Sequence, residues 1–205
     1  MRFLDFLFPP RDDEKILRDI SVETFLSLIT PQLEPKTRPA TVILLPFHDT
    51  RVRSAIHEAK YHGSSHAFTL LGASLVEYLR EADDLARVTS SRIRLVPVPL
   101  GDERRSKRGF NQVEEMATIA ARELGVAVDT QLLRRSRETT SQVSLAREKR
   151  KANMRGAFTA LRPADPSLTY VLIDDVITTG ATLQAATRAL QEAGAIHIIP
   201  IALAH

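Results

Sequence analysis

The sequence predicts an α/β protein with a mainly parallel central sheet. Three observations carry that expectation. Beyond residue 40, short apolar runs alternate with stretches of helical periodicity. One run, Tyr170–Ile173, is apolar without alternation, the pattern of a strand covered on both faces. Glycines stand where helices should stop, at Gly63, Gly125 and Gly194.

The elements follow in chain order. Leu17, Ile20, Thr24 and Leu28 recur at near-helical spacing, so Glu14–Ile29 is predicted to be a small helical element. Residues 30–40 contain three prolines and read as a linker, which sets residues 1–40 apart from a main domain at 41–205. Val42–Phe47 is a buried run, and Arg51–Tyr61 and Phe68–Leu79 are helices. Ile93–Val98 is a strand whose end is marked by Pro97 and Pro99. Gln112–Leu124 places Val113, Met116, Ala117, Ala120 and Leu124 on one helical face. Thr182–Ala193 is a helix and Ile196–Leu203 a last strand.

At 205 residues the chain can bury a core without covalent staples. It has no Cys, which removes disulfides, thiolate metal sites and a Cys nucleophile, and fits a cytoplasmic setting. The longest apolar runs fall far short of the roughly 18 residues that a membrane span needs, so no membrane insertion is expected. Met1–Phe8 is too short for a signal peptide and Asp5 interrupts it. Net charge is only +3, yet residues 134–155 hold eight cations against two carboxylates, a net +6. Residues 104–108 add Arg-Arg-Ser-Lys-Arg. Such clustering suits a phosphorylated metabolite or a nucleic acid, or else is a solvated helical face.

The stretch Tyr170 to Thr182 carries the chemistry. A buried strand delivers Asp174 and Asp175 at its carboxyl end, where ligands bind in open α/β sheets. Ile177, Thr178, Thr179, Gly180, Ala181 and Thr182 then lead into a helix. Gly180 allows close backbone approach, and the first helical amides with the Thr hydroxyls can cradle phosphate. Carboxylates accept hydrogen bonds from a sugar diol, so the pattern suits a ribose 5-phosphate. The eight glycines are spaced too widely for a G-x-G-x-x-G or Walker A loop.

These residues resemble the phosphoribosyl-pyrophosphate signature of type I phosphoribosyltransferases. Five further motifs resemble the ComF family, associated with competence. They are Lys60-Tyr61-His62-Gly63, Val96 to Leu100, Arg108-Gly109-Phe110-Asn111-Gln112, Arg135 to Gln142 and Arg147 to Phe158. Family members often carry a Cys-rich zinc module after a stretch like Phe8-Pro9-Pro10, which this sequence lacks.

The resemblance implies a type I phosphoribosyltransferase fold. It implies that Asp174 and Asp175 hold the ribose hydroxyls and that Ile177–Thr182 wraps the 5-phosphate. It places Arg108 and Lys151 on pyrophosphate, and Arg137 and Arg147 in a catalytic loop spanning 137–151 that closes over it. Mg²⁺ is the implied cofactor, held through ligand and water near Asp174 and Asp175 without a direct protein ligand.

Ligands are then phosphoribosyl pyrophosphate or a nucleoside monophosphate, with phosphoribosyl passing to a nitrogen acceptor. Single-stranded DNA or DNA-uptake machinery are candidate partners, and a homodimer is expected by analogy. The alternative is a non-catalytic nucleotide-sensing or single-stranded-DNA-binding protein on the same fold. Lys60 and His62 also read as cations at a helix end, Asn111 and Gln112 as caps, and Phe110 as a ring for stacking a base. A metal site at His62 and His66 is disfavoured by the intervening Gly63-Ser64-Ser65.

Overall fold

The computed structural model describes residues 11–82, 85, 88–136 and 156–205. The catalytic-loop expectation, with Arg137, Arg147 and Lys151, lies outside these residues, as does Phe8-Pro9-Pro10.

The described residues begin with two short helices, α1 (Asp12–Leu17) and α2 (Val22–Leu26), where one element was expected. The break follows from Ser21, whose hydroxyl caps α2 by accepting from the Thr24 amide. The proline-rich linker also proves structured. Gln32–Glu34 forms an edge strand, β1, antiparallel to β2 (Thr41–Leu45). Thr37 is buried and its hydroxyl lies 2.9 Å from that of Thr41. Pro is tolerated here because the segment sits at the sheet edge.

Helix α3 (Thr50–His57) is capped by Asp49 and runs into a π-helical turn, Glu58–His62, which Gly63 ends at φ +60°. Then come α4 (Ser65–Glu81), β3 (Ile93–Pro97), α5 (Asp102–Arg108) and α6 (Gln112–Leu124). Next are β4 (Ala127–Val128), β5 (Leu133–Arg135) and β6 (Phe158–Ala160). The chain closes with β7 (Thr169–Val176), α7 (Ala181–Glu192) and β8 (His197–Ala204). Helix α5 follows the Val-Pro-Val-Pro strand end and carries the basic cluster of residues 104–108. Acidic Asp102 and Glu103 open it and Arg105, Lys107 and Arg108 close it, which matches the helix dipole.

The main sheet has the order β1-β2-β8-β7-β3-β4, parallel except for β1. Strands β5 and β6 form a separate antiparallel pair. Alternate residues of β7 serve two cores. Val171 and Ile173 join the side built from α3, α4 and α6; Tyr170 and Leu172 join the side built from α7 and the β5–β6 pair. All four are at most 2% exposed. Burying a side chain of this size stabilises by about 1.5–3 kcal/mol, so the strand that carries the acid pair is firmly held. The mainly parallel α/β architecture expected from the sequence is the architecture observed.

Candidate active site

Asp174 and Asp175 stand at the carboxyl end of β7, between β3 and β8. Neighbouring strand residues point to opposite faces, so the two carboxyls meet different walls. Asp175 is buried and faces the α3–α6 side. Its Oδ2 accepts from Gln112 Nε2 at 2.6 Å and lies 3.6 Å from Lys60 Nζ. Its Oδ1 accepts from the Val176 amide at 2.7 Å. Asp174 keeps a partly exposed side chain, whose Oδ1 accepts from the neighbouring Asp175 amide at 3.0 Å. Burial first, and then the charge of Asp175, push the Asp174 carboxyl up to about 7; the Asp175 amide, Lys60 and Arg135 oppose this.

The loop after β7 is positioned from both ends. The Ile177 amide donates to the Ala204 carbonyl at 2.9 Å, tying the loop to β8. Gly180 adopts φ +72° and its carbonyl accepts from the Gln184 amide, starting α7. The Ala181 amide lies 3.4 Å from Thr179 Oγ1. First-turn amides have no partner further up the helix, so Thr178 to Thr182 presents donors at a positive helix end.

Gly180 was expected to admit a ligand. The structure adds a different cause: a side chain there would run into the methyl of Thr37. The 35–39 turn is also clamped to α7, because the Arg38 amide donates to Gln184 Oε1 at 2.7 Å and Gln184 Nε2 donates to the Arg38 carbonyl at 2.8 Å.

Arg108, expected on pyrophosphate, sits at the end of α5. It donates to Gln112 Oε1 at 2.9 Å, and its guanidinium carbon lies 5.2 Å from the centre of the Tyr61 ring. Gln112 therefore links Arg108 to Asp175. Asn111 is the cap expected: its Oδ1 accepts from the Val113 amide while Nδ2 donates to the Val98 carbonyl. Three separate motifs, at 60–63, 108–112 and 174–175, thus meet around one carboxylate.

One sequence expectation changes. Lys60 is directed to Asp175 rather than serving only as a helix-end cation. Phe110, partly buried, packs edge-on against Phe68 at 5.9 Å and closely against Gly63. The role of Gln112 beyond capping had no signal except its place in the 108–112 motif.

His66 is turned away from His62, with Nε2 3.0 Å from the Leu17 carbonyl. Among the described residues a different trio, His57, Glu58 and His62, brings metal-ligating atoms within 4.8 Å of one another. Buried Glu58 has both oxygens engaged by Arg11, at 2.9 and 2.7 Å, so it already has a cationic partner.

A strand-end acid pair, a glycine turn in the left-handed region and a helix start follow one another on a mainly parallel sheet, as in a phosphoribosyltransferase-type fold. In agreement, residues 82–205 match the phosphoribosyl transferase domain family, and the chain belongs to that family.

Its relatives are of the ComF type. The DNA utilization protein YhgH of Salmonella typhimurium is 34% identical over 142 residues, 68% of this chain and 61% of that protein. Competence protein F of Haemophilus influenzae is 31% identical over 102 residues, 49% of this chain and 44% of that one. Competence protein ComFC of Bacillus subtilis is 34% identical over 100 residues, 49% and 39% of the two chains. The matched stretch thus spans about 60% or less of the length of these relatives. Among the described residues, no helix is long and apolar enough to cross a membrane.

Proposed function

We propose that the chain binds phosphoribosyl pyrophosphate, or a nucleoside 5-monophosphate, at the carboxyl end of β7 and transfers phosphoribosyl to a nitrogen acceptor. The observation that carries the reading is the joining of Asp174 and Asp175 to the 177–182 loop, with Asp175 braced by Lys60 and Gln112. Asp175 accepts from the ribose hydroxyls while the amides and hydroxyls of Thr178, Thr179 and Thr182 receive the 5-phosphate. In the transfer the acceptor nitrogen forms a bond to the anomeric carbon as the bond to pyrophosphate breaks. The proton lost by the acceptor goes to a nearby base. Asp174, with its carboxyl raised to about 7, is suited to hold it near neutral pH. Arg108, joined to Asp175 through Gln112, is assigned to pyrophosphate, because a guanidinium can pair bidentately with phosphate oxygens.

The hard oxygen donors present would suit Mg²⁺: Asp174 and Asp175 would hold it through water, and it would supply charge neutralisation for pyrophosphate. Lys60 beside Asp175 favours this indirect mode over direct coordination by that carboxylate.

A second reading draws support from the relatives' names, which refer to DNA utilization and competence. On it the same site senses a nucleotide while the basic segments hold single-stranded DNA, with catalysis lost. A role beside DNA-uptake machinery belongs with this reading, whereas a homodimer is proposed by analogy with type I enzymes.

The deciding experiment is calorimetry with phosphoribosyl pyrophosphate and Mg²⁺, followed by a pyrophosphate-release assay with a panel of bases and amines. Binding with release supports transfer. Binding without release, together with salt-steep single-strand binding, supports the second reading. Absence of binding to any ribose phosphate would sink both.

A further inference from the structure

The π-helical turn that brings Lys60 to Asp175 also gathers His57, Glu58 and His62, whose metal-ligating atoms lie within 4.8 Å of one another. On an α-helix, residues five apart diverge by about 140°. A π-helical turn closes on the fifth residue instead, so His57 and His62 share a side, with ring centroids 5.7 Å apart. His62 Nε2 stands 3.9 Å from Glu58 Oε1. Glu58 is a carboxylate of only 1% exposure, and a group so buried needs a cation. The cation it has comes from outside the turn: half-exposed Arg11, with Nε 2.9 Å from Oε1 and Nη2 2.7 Å from Oε2. Asp13 Oδ2 lies 2.8 Å from His57 Nδ1, and Asp13 Oδ1 accepts from Ser54 Oγ at 2.7 Å. A carboxylate held in this way orients a metal-binding imidazole.

We propose that His57, Glu58 and His62 form a site for a divalent transition-metal ion, best suited to Zn²⁺, which competes with Arg11 for Glu58. Two imidazoles and one carboxylate are a ligand set that Zn²⁺ favours, with water in the fourth position. Both histidines are solvent-accessible, so water can supply that ligand. Donor atoms around a tetrahedral Zn²⁺ stand roughly 3.3 Å apart. The trio therefore closes by at most about 1.5 Å, a distance that rotation of the histidine side chains covers. Arg11 has another partner to fall back on, because its Nη2 already lies 3.3 Å from Glu14 Oε2. An ion that takes Glu58 Oε1 displaces the Arg11 Nε bond and leaves the guanidinium between Glu14 and Glu58 Oε2. It fastens the turn that carries Lys60, whether or not Asp174–Thr182 binds a ribose phosphate.

The test is calorimetric titration of the untagged full chain with Zn²⁺, with a parallel Co²⁺ titration followed by visible absorption. Wild type should bind Zn²⁺, and Co²⁺ should give the intense visible bands of a tetrahedral complex. His57→Ala and His62→Ala should each weaken Zn²⁺ binding by at least about tenfold, and Asp13→Asn, which still accepts from Ser54, by about tenfold. His66→Ala, outside the cluster, should bind as wild type does. Arg11→Gln removes the competing cation from buried Glu58. It should bind Zn²⁺ more tightly than wild type, and added Zn²⁺ should raise its thermal midpoint by more.

Absence of Zn²⁺ binding by wild type would overturn the site, as would binding that is unchanged in both histidine variants. Equal Zn²⁺ affinity in wild type and Arg11→Gln would overturn the competition for Glu58. If Arg11→Gln loses stability, its thermal midpoint still decides the matter: the site requires Zn²⁺ to restore it, and failure to do so counts against the site.

Discussion

The two walls beside the acid pair are built differently. The wall around Asp175 is assembled by long-range side-chain bonds: Gln112 arrives from 63 residues away and Lys60 from the π-helical turn. The wall around Asp174 and the 177–182 loop is mostly backbone: a neighbouring amide, a left-handed glycine and a helix start. One wall therefore depends on the whole fold and the other on about a dozen consecutive residues. The contrast also separates the carboxyls chemically. Asp175 is braced by a cation and an amide, while burial and the charge of Asp175 raise Asp174 to about 7.

Substitution can break the backbone wall most severely. Gly180→Val should have the largest effect, because a β-branched residue is strained at φ +72° and its side chain would meet Thr37. A loss of about 3 kcal/mol is expected from strain plus overpacking, visible as a thermal midpoint lowered by several degrees, together with lost phosphate-ligand binding. Full stability and binding in this variant would show that the loop conformation is not set by glycine.

The side-chain wall should give next. Gln112→Leu removes a donor from a buried carboxylate and should cost about 1.5–3 kcal/mol by denaturant unfolding. Asp175→Asn tests the ribose contact directly, because an amide accepts less strongly than a carboxylate. Its affinity for ribose 5-phosphate should fall by about tenfold, a change of roughly 1.4 kcal/mol. Unchanged affinity for Asp175→Asn would remove the diol assignment while leaving the fold intact.

The difference between the two carboxyls has a pH signature. Folding raises the Asp174 pKa from the ordinary 3.8 to about 7, so the folded chain holds this proton more tightly than the unfolded chain. Its contribution is fully present below the unfolded value and is lost as pH rises through about 7. The ligand-free protein should therefore lose stability as pH rises from about 4 to about 7 and level off above that. Asp174→Asn should flatten that slope and raise the thermal midpoint at pH 8 by about 2–4 °C, the shift expected for 1 kcal/mol in a chain this long. An unchanged slope would place the titration elsewhere.

The smallest effect concerns the clamp between the 35–39 turn and α7. Gln184→Ala removes its two hydrogen bonds to the Arg38 backbone and, because the site is solvent-exposed, should cost only about 0.5–1 kcal/mol. A loss above 3 kcal/mol would show that the turn, like the other long-range contacts, is central to the fold.

Legibility followed the same division. The β7 strand, its acid pair, the glycine turn and the following helix are consecutive residues whose preferences agree, so they could be placed from sequence alone. The helix Gln112–Leu124 was equally plain, with an Asn cap, one apolar face and a glycine end. The 30–40 segment was harder: three prolines suggest a connection, yet pairing with β2 and burial of Thr37 make it part of the sheet edge. Phe110 was read as a stacking ring from its basic neighbours, and only the fold shows it packed against Gly63 and Phe68.

By itself the sequence determined the α/β class, the parallel core strand and the location of the phosphate-loop candidate, because periodicity, capping and glycine placement act over a few residues. Tertiary structure alone decided that Lys60 and Gln112 brace Asp175, that Arg108 lies over Tyr61, and that Thr37 closes against Gly180. Those contacts join residues far apart in the chain. Their partners are chosen by the packing of whole helices against the sheet, which no local pattern encodes.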